Sequence, residues 1–112
     1  MMIEIVILDY LNANLSVSAV MEREKNAPDR FVVLEKTSGG ERNHVSSATF
    51  AFQSYSKKSM HEAAVLNEEL KRVIKNMIEL DAIASVKLNS DYNFTDTSTK
   101  EYRYQAVFDF KY

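Results

Sequence analysis

The chain contains no cysteine, one proline and two glycines. Absence of cysteine excludes thiol catalysis, thiolate metal sites and a disulfide scaffold, and removes any need for an oxidising compartment. So little proline and glycine, with 46% hydrophobic residues, six tyrosines and six phenylalanines, excludes low-complexity and disordered classes. Long apolar runs are also missing. Stretches such as residues 5–8 fall far short of the ~20 residues of a membrane span, and no basic segment precedes them as in a signal peptide. A cytoplasmic site of synthesis with no membrane association is the expectation. Fourteen basic and 16 acidic side chains give a net charge of -2, with signs alternating from Glu22 to Arg42. No basic stripe marks a dedicated nucleic-acid surface. At 112 residues the chain is expected to form one domain, 1–112, since domains run roughly 100–200 residues.

What is present is periodicity. In the last segment Tyr102, Tyr104, Ala106, Phe108, Phe110 and Tyr112 alternate with mostly polar residues, the pattern of a strand with one face in the core. The other face, Arg103, Gln105, Val107, Asp109 and Lys111, suits a subunit interface or solvent equally. Ala48, Phe50 and Phe52 alternate likewise, and Phe31, Val32, Val33 and Leu34 form a run of high β propensity. Between them Gly39 and Gly40 can supply the positive φ of a hairpin turn, so residues 30–55 read as a hairpin.

The period then changes to helical. Ser59 and Glu62 have capping-box spacing, and Ala63, Leu66, Leu70, Val73, Ile74 and Met77 recur at steps of three and four. Glu68 and Arg72 are spaced for an i,i+4 ion pair. A helix over about 59–80 is expected, then a strand over 83–88 and a long polar loop over 89–99. Near the start, Ile3, Ile5 and Ile7 alternate like a strand, while Ile3, Ile7, Tyr10 and Leu11 share one helical face; β-branching favours the strand. Residues 17–23 read as a strand ending before the turn at Ala27, Pro28 and Asp29. The expected class is α+β: a single, mostly antiparallel sheet of four or five strands with one or two helices on its apolar face.

Catalytic signals are weak throughout. His44 and His61 stand among polar residues without an orienting partner and are expected to face solvent. Asp91, Asn93 and Thr95 place oxygens at alternate positions as a calcium loop does, but the central glycine is missing and Tyr102 stands where the distal glutamate belongs. Gly39 and Gly40 open no helix, so they lack the context of a phosphate cradle. No hydrolase, dinucleotide, phosphate-loop or zinc-protease motif occurs, and no nucleophile, base and oxyanion donors are apparent. Neither catalysis, a metal nor a cofactor is expected. The aromatic residues of the last strand lack the basic and glycine residues of an RNA-recognition pattern, which leaves core packing as their role.

The chain presents, in order, a Val-containing strand ending at Glu24, Ala27-Pro28-Asp29-Arg30 before Phe31-Val32-Val33-Leu34, Gly39-Gly40, a strand over 48–55, a helix with Ala63-Ala64 in its first turns, and the closing strand from Tyr102 to Phe110. This order resembles the small tail terminator proteins, also called tail completion or head-tail joining proteins, of long-tailed bacteriophages and prophages. The resemblance covers residues 16–112 and lies in order and spacing.

It implies two helices beside the sheet, about 3–13 and 59–80, which moves the N-terminal segment from strand to helix. It also implies assembly as a ring, typically a hexamer, on the head-proximal end of the tail tube. Such a ring stops tube polymerisation, contacts the major tail tube protein and a head-connector or head-closure protein, and lets DNA slide through its lumen without specific binding. The implied location is the tail or neck of the virion, assembled in the bacterial cytoplasm. Candidate interface residues are Tyr92, Phe94, Thr95 and Asp96 in the loop over 89–99, Gly39, Gly40 and Arg42 in the presumed turn, and Arg103. Tyr92 and Phe94 either anchor an interface or fold back onto the sheet. The competing readings are a head-closure or connector-adaptor subunit of the neck, and an unrelated small peptide- or nucleic-acid-binding module.

Overall fold

Ile3, Ile7 and Leu11 are spaced four apart, and burying all three on one side requires a helix, whereas a strand would also bury Ile5. The computed structural model, which describes residues 2–96, 98–99 and 101–112, has helix α1 over Ile3–Asn14, with these three side chains buried and Ile5 40% exposed. Burial against the sheet thus overrides the β-branched preference. The remaining elements are β1 (Ala19–Val20), β2 (Arg30–Arg42), β3 (Val45–Ser56), α2 (Met60–Lys75), β4 (Ser85–Asn93) and β5 (Tyr102–Lys111).

The strands form one sheet in the order β1-β2-β3-β5-β4, with β1 parallel to β2 and all other pairs antiparallel. The fold is α+β, with both helices on one face. Because β5 lies between β3 and β4, the β3-α2-β4 connection crosses over it. Helix α2 begins as its sequence requires: Ser59 Oγ accepts from the Glu62 N–H at 3.1 Å. Arg72 and Lys75 lie in its last turn, where positive charge is favoured. Beyond Lys75 the chain tightens into a 3-10 turn over Asn76–Glu79, which carries Met77 into the core. The helix expected over 59–80 therefore ends five residues early.

Four expectations are corrected. Gly39 and Gly40 do not make the hairpin turn; they lie within β2, opposite Ala48 and Ser47, and neither has positive φ. The turn is Asn43-His44, with φ of 53° and 65°, the two-residue geometry that matches strand twist and that asparagine tolerates without glycine. The strand expected over 17–23 shrinks to Ala19–Val20, held by the Asn12 side chain, which donates to Ala19 O at 3.1 Å and accepts from Ala19 N at 2.9 Å. The strand expected over 83–88 begins at Ser85 and runs on to Asn93, so half of the presumed loop over 89–99 is sheet. Finally, Glu68 pairs with Lys71 at 2.9 Å and not with Arg72, because Lys71 also reaches Asp91 of β4.

The main core lies between helices and sheet: Ile3, Ile7 and Leu11 from α1, Leu66, Leu70 and Ile74 from α2, and Val32, Leu34, Phe50, Phe52, Phe108 and Phe110 from the strands. Phe52 meets Phe108 and Phe110 edge-on, with ring centres 6.0 and 6.3 Å apart. A second, small cluster of Ala27, Phe31, Val33 and Tyr55 lies on the opposite face, where the segment 21–29 folds over β2. The rest of that face is not covered by any element.

Candidate functional site

Strand alternation and register fix what the uncovered face presents. Reading across β2, β3, β5 and β4, its rows are Phe31–Tyr55–Arg103–Phe94, Val33–Gln53–Gln105–Tyr92, Glu35–Ala51–Val107–Ser90, Ser38–Thr49–Asp109–Lys87 and Gly40–Ser47–Lys111–Ser85. The face therefore grades from aromatic and bulky at one end to small and hydroxylated at the other. Ser47 and Tyr55 are eight residue steps apart along β3, so the two ends lie about 27 Å apart.

At the bulky end, the Arg103 guanidinium sits 4.6 Å from the centre of the Phe94 ring and 5.7 Å from that of Tyr55. Its Nε donates to Phe94 O at 2.6 Å and its Nη1 to Tyr55 Oη at 3.0 Å. A directional chain continues from there. Tyr55 Oη donates to Gln53 Oε1 at 3.4 Å, Gln53 Nε2 to Gln105 Oε1 at 2.9 Å, and Gln105 Nε2 to the Tyr92 hydroxyl. Tyr92 and Phe94 meet edge to face at 5.8 Å, each 41% exposed. They fold back onto the sheet, one of the two readings made from sequence, and each keeps part of its ring exposed.

The short connection after β4 is tied to this cluster. Thr95 Oγ1 donates to Arg103 O at 3.2 Å and accepts from Arg103 N at 3.1 Å. Asp96 bridges to Glu101 and accepts from the Ser98 N–H at 2.9 Å and the Ser98 hydroxyl at 2.7 Å. These two bonds hold the Asp96 carboxyl below the usual aspartate range. Arg23, from the segment 21–29, pairs with Glu101 and walls off this end of the face.

At the small end, Ser38, Gly40, Ser47, Ser85, Lys87 and Lys111 line a trough of about 430 Å³. Nothing lies within 3.4 Å of where a Cβ on Gly40 would sit, so the trough is open there. Arg42 stands at its rim beside an adjoining hollow of about 550 Å³ that shares Ser47, Ser85 and Lys111. The basic groups Arg42, Lys87 and Lys111 outnumber the carboxylate of Asp109, which is itself held by Thr49 Oγ1 at 2.6 Å and Asn89 Nδ2 at 3.0 Å.

The structure thus brings Tyr92, Phe94, Thr95, Asp96 and Arg103 together at one end and places Gly40 and Arg42 at the other end of the same face. Gly39 pairs with Ala48 in the helix-side register and, having no side chain, also lines the trough. Missed from sequence were Gln53, Tyr55, Lys87 and Ser47. For Ser47, Gln53 and Tyr55 the signal was the odd-numbered register of β3, which the stronger even-numbered aromatic pattern hides; Lys87 lies on β4, opposite Asp109. His44 is exposed at the hairpin turn and His61 is exposed in the first turn of α2, as expected. Among the described residues no three metal-ligating side chains converge, and no helix is long and apolar enough to cross a membrane. Compared with known proteins, the chain matches no family model and no curated sequence.

Proposed function

We propose that the protein is a structural assembly subunit, a tail terminator that forms a ring on the head-proximal end of a phage tail tube, arrests tube growth and receives the head connector. The observation that carries this reading is the uncovered sheet face, with its aromatic-arginine cluster at one end and its basic, small-residue trough at the other. A domain of this size that leaves much of one side of four strands uncovered, outside the cluster under the segment 21–29, has a large surface to give to a partner. Two separate chemistries on that surface suit contacts with neighbours of different kinds, as a subunit between tube, ring and connector requires. In this role the subunit works by shape and placement, without a catalytic group or cofactor, and the order of the later strands and helix on which the resemblance rests supports the same reading, apart from the turn expected at Gly39-Gly40 and the strand expected to end at Glu24. DNA passes through the lumen, and the site of action is the virion neck.

Mixing the purified protein with its cognate tail tube protein tests this directly by negative-stain microscopy. The expected product is tubes of arrested length, capped at one end. Uncapped tubes together with binding to portal or head particles would replace termination by head closure, and binding to neither would remove the phage assignment altogether.

A further inference from the structure

The outer side of α1 is as unusual as the bare sheet face. Met2, Ile5, Asp9 and Ala13 follow one another at three- and four-residue steps away from the core, and all four are exposed, Met2 at 60% and Ile5 at 40%. With Ile3, Ile7 and Leu11 buried on the inner side, the first two turns of the helix are apolar nearly all round apart from Glu4, a pattern that belongs to helices covered on both sides, whereas Asp9, Asn12 and Asn14 give its last turns a polar outer side. Its only charges are Glu4 and Asp9, both acidic, and it has no basic residue.

We infer that α1 of one copy docks into the Gly40–Ser47–Ser85 trough of a second copy. Charge favours the match, since an acidic helix meets Arg42, Lys87 and Lys111. Shape favours it too, because the small side chains of the trough admit the ridge formed by Met2 and Ile5. With α1 in place the bare sheet gains the second helical layer that its own chain does not provide. Helix and trough lie on opposite sides of the molecule, so the contact is head-to-tail, and repeating it closes a ring when the rotation between copies allows. A helix about 18 Å long and about 10 Å across presents half of its lateral surface, roughly 280 Å², about a third of the ~800 Å² per partner of a stable two-body interface. Single contacts are therefore weak, and closure of the ring makes them collectively strong. This inference deepens the assembly role proposed above and names the contact by which the copies join.

Absence of native cysteine makes the test clean. Ile5→Cys and Ser47→Cys are made as single variants, each checked by circular dichroism, then mixed at high concentration with a short bis-maleimide. Cross-links that require both variants are expected, and the double variant gives a ladder of multimers. No mixed cross-link at millimolar protein, or dominant links of like to like, overturns the contact. Independently, Asp9→Lys or Lys111→Asp alone is expected to weaken self-association about tenfold, with the two together recovering most of the loss; reversals without effect, or without mutual recovery, also overturn it. Cross-linked rings that leave tail tubes uncapped would sink the terminator reading and leave this contact standing, whereas capped tubes without the cross-link would sink the contact alone.

Discussion

The two faces of β3 and β5 are built from the same twenty-odd residues and behave as two materials. On the helix side Ala48, Phe50, Phe52, Ala106, Phe108 and Phe110 are at most 3% exposed and make a continuous aromatic core. On the other side Thr49, Gln53, Gln105, Val107 and Asp109 form cross-strand pairs and hydrogen-bonded chains, with apolar cover only where the segment 21–29 reaches. The first face supplies most of the stability. The second is thereby free to carry side chains selected for contact, because burying them is not what keeps the domain folded.

Substitution is the sharpest way to break this contrast. Phe52→Ala removes a ring packed against Phe108 and Phe110 and should cost about 3–5 kcal/mol, a large part of the ~5–15 kcal/mol expected of a domain. Val107→Ala on the other face should cost about 1 kcal/mol or less. Urea midpoints measure both, and equal losses would refute the division. Next in size is Asp91→Ala, at about 2–3 kcal/mol, since it strips the partner from buried Asn67, bonded at 2.6 Å, and from Lys71, bonded at 2.5 Å. The hydrogen bond to Asp91, followed by the one to Glu68 and opposed by burial, raises the Lys71 pKa. A raised folded value means that this contribution is complete below the ordinary lysine value of 10.5 and fades as the pH climbs through the folded one. The parent should therefore lose stability in alkali more steeply than Asp91→Ala does.

Smaller effects separate the two ends of the bare face. Arg103→Lys keeps the charge but loses the planar fork that joins Phe94 O and Tyr55 Oη, and should lower stability by about 1–2 kcal/mol in thermal unfolding. At the other end Gly40→Ala should change stability by no more than about 0.5 kcal/mol, because its φ is not positive and its Cβ would meet Ser47 Oγ at an ordinary 3.8 Å. By contrast Asn43→Val, at a φ of 53°, should destabilise the hairpin by about 1–2 kcal/mol. If Gly40→Ala proved the worse of the two, the turn would have to lie at the glycines after all. The smallest effect concerns Asp96. Its lowered pKa means that its bonds to Ser98 persist above the ordinary aspartate value and are lost only as the pH falls through the depressed folded one. An acid titration followed at the Ser98 amide resonance should have its midpoint below the ordinary aspartate value of 3.8.

The helix-facing half of the molecule was legible because burial writes periodicity into sequence. The alternation of Phe108 and Phe110, the spacing of Leu66, Leu70 and Ile74, and the Ser59 cap each have one reading. The bare face was legible only in outline. Along β5 its residues could be picked out by register, but interface and solvent leave the same polar trace. The second half of β4 was hidden because Asn89, Asp91 and Asn93 are poor strand formers, and their side chains are satisfied by Asp109, by Asn67 and Lys71, and by Met60, partners that no local pattern reveals. The hairpin misled for a related reason: glycine is the strongest single cue for positive φ, and here Asn43 and His44 take that role while Gly39 and Gly40 serve inside a strand.

The central claim is that the bare face is where this protein meets its partners, and lysine footprinting of the assembled form tests it most directly. Lys87 and Lys111 line the trough, whereas Lys58 and Lys75 are exposed at the two ends of α2. Acetylation rates measured by mass spectrometry before and after assembly on tail tubes should fall several-fold at Lys87 and Lys111 and stay unchanged at Lys58 and Lys75. Unchanged reactivity of Lys87 and Lys111, with protection appearing at Lys58 and Lys75 instead, would contradict the claim and move the working surface to the helical side.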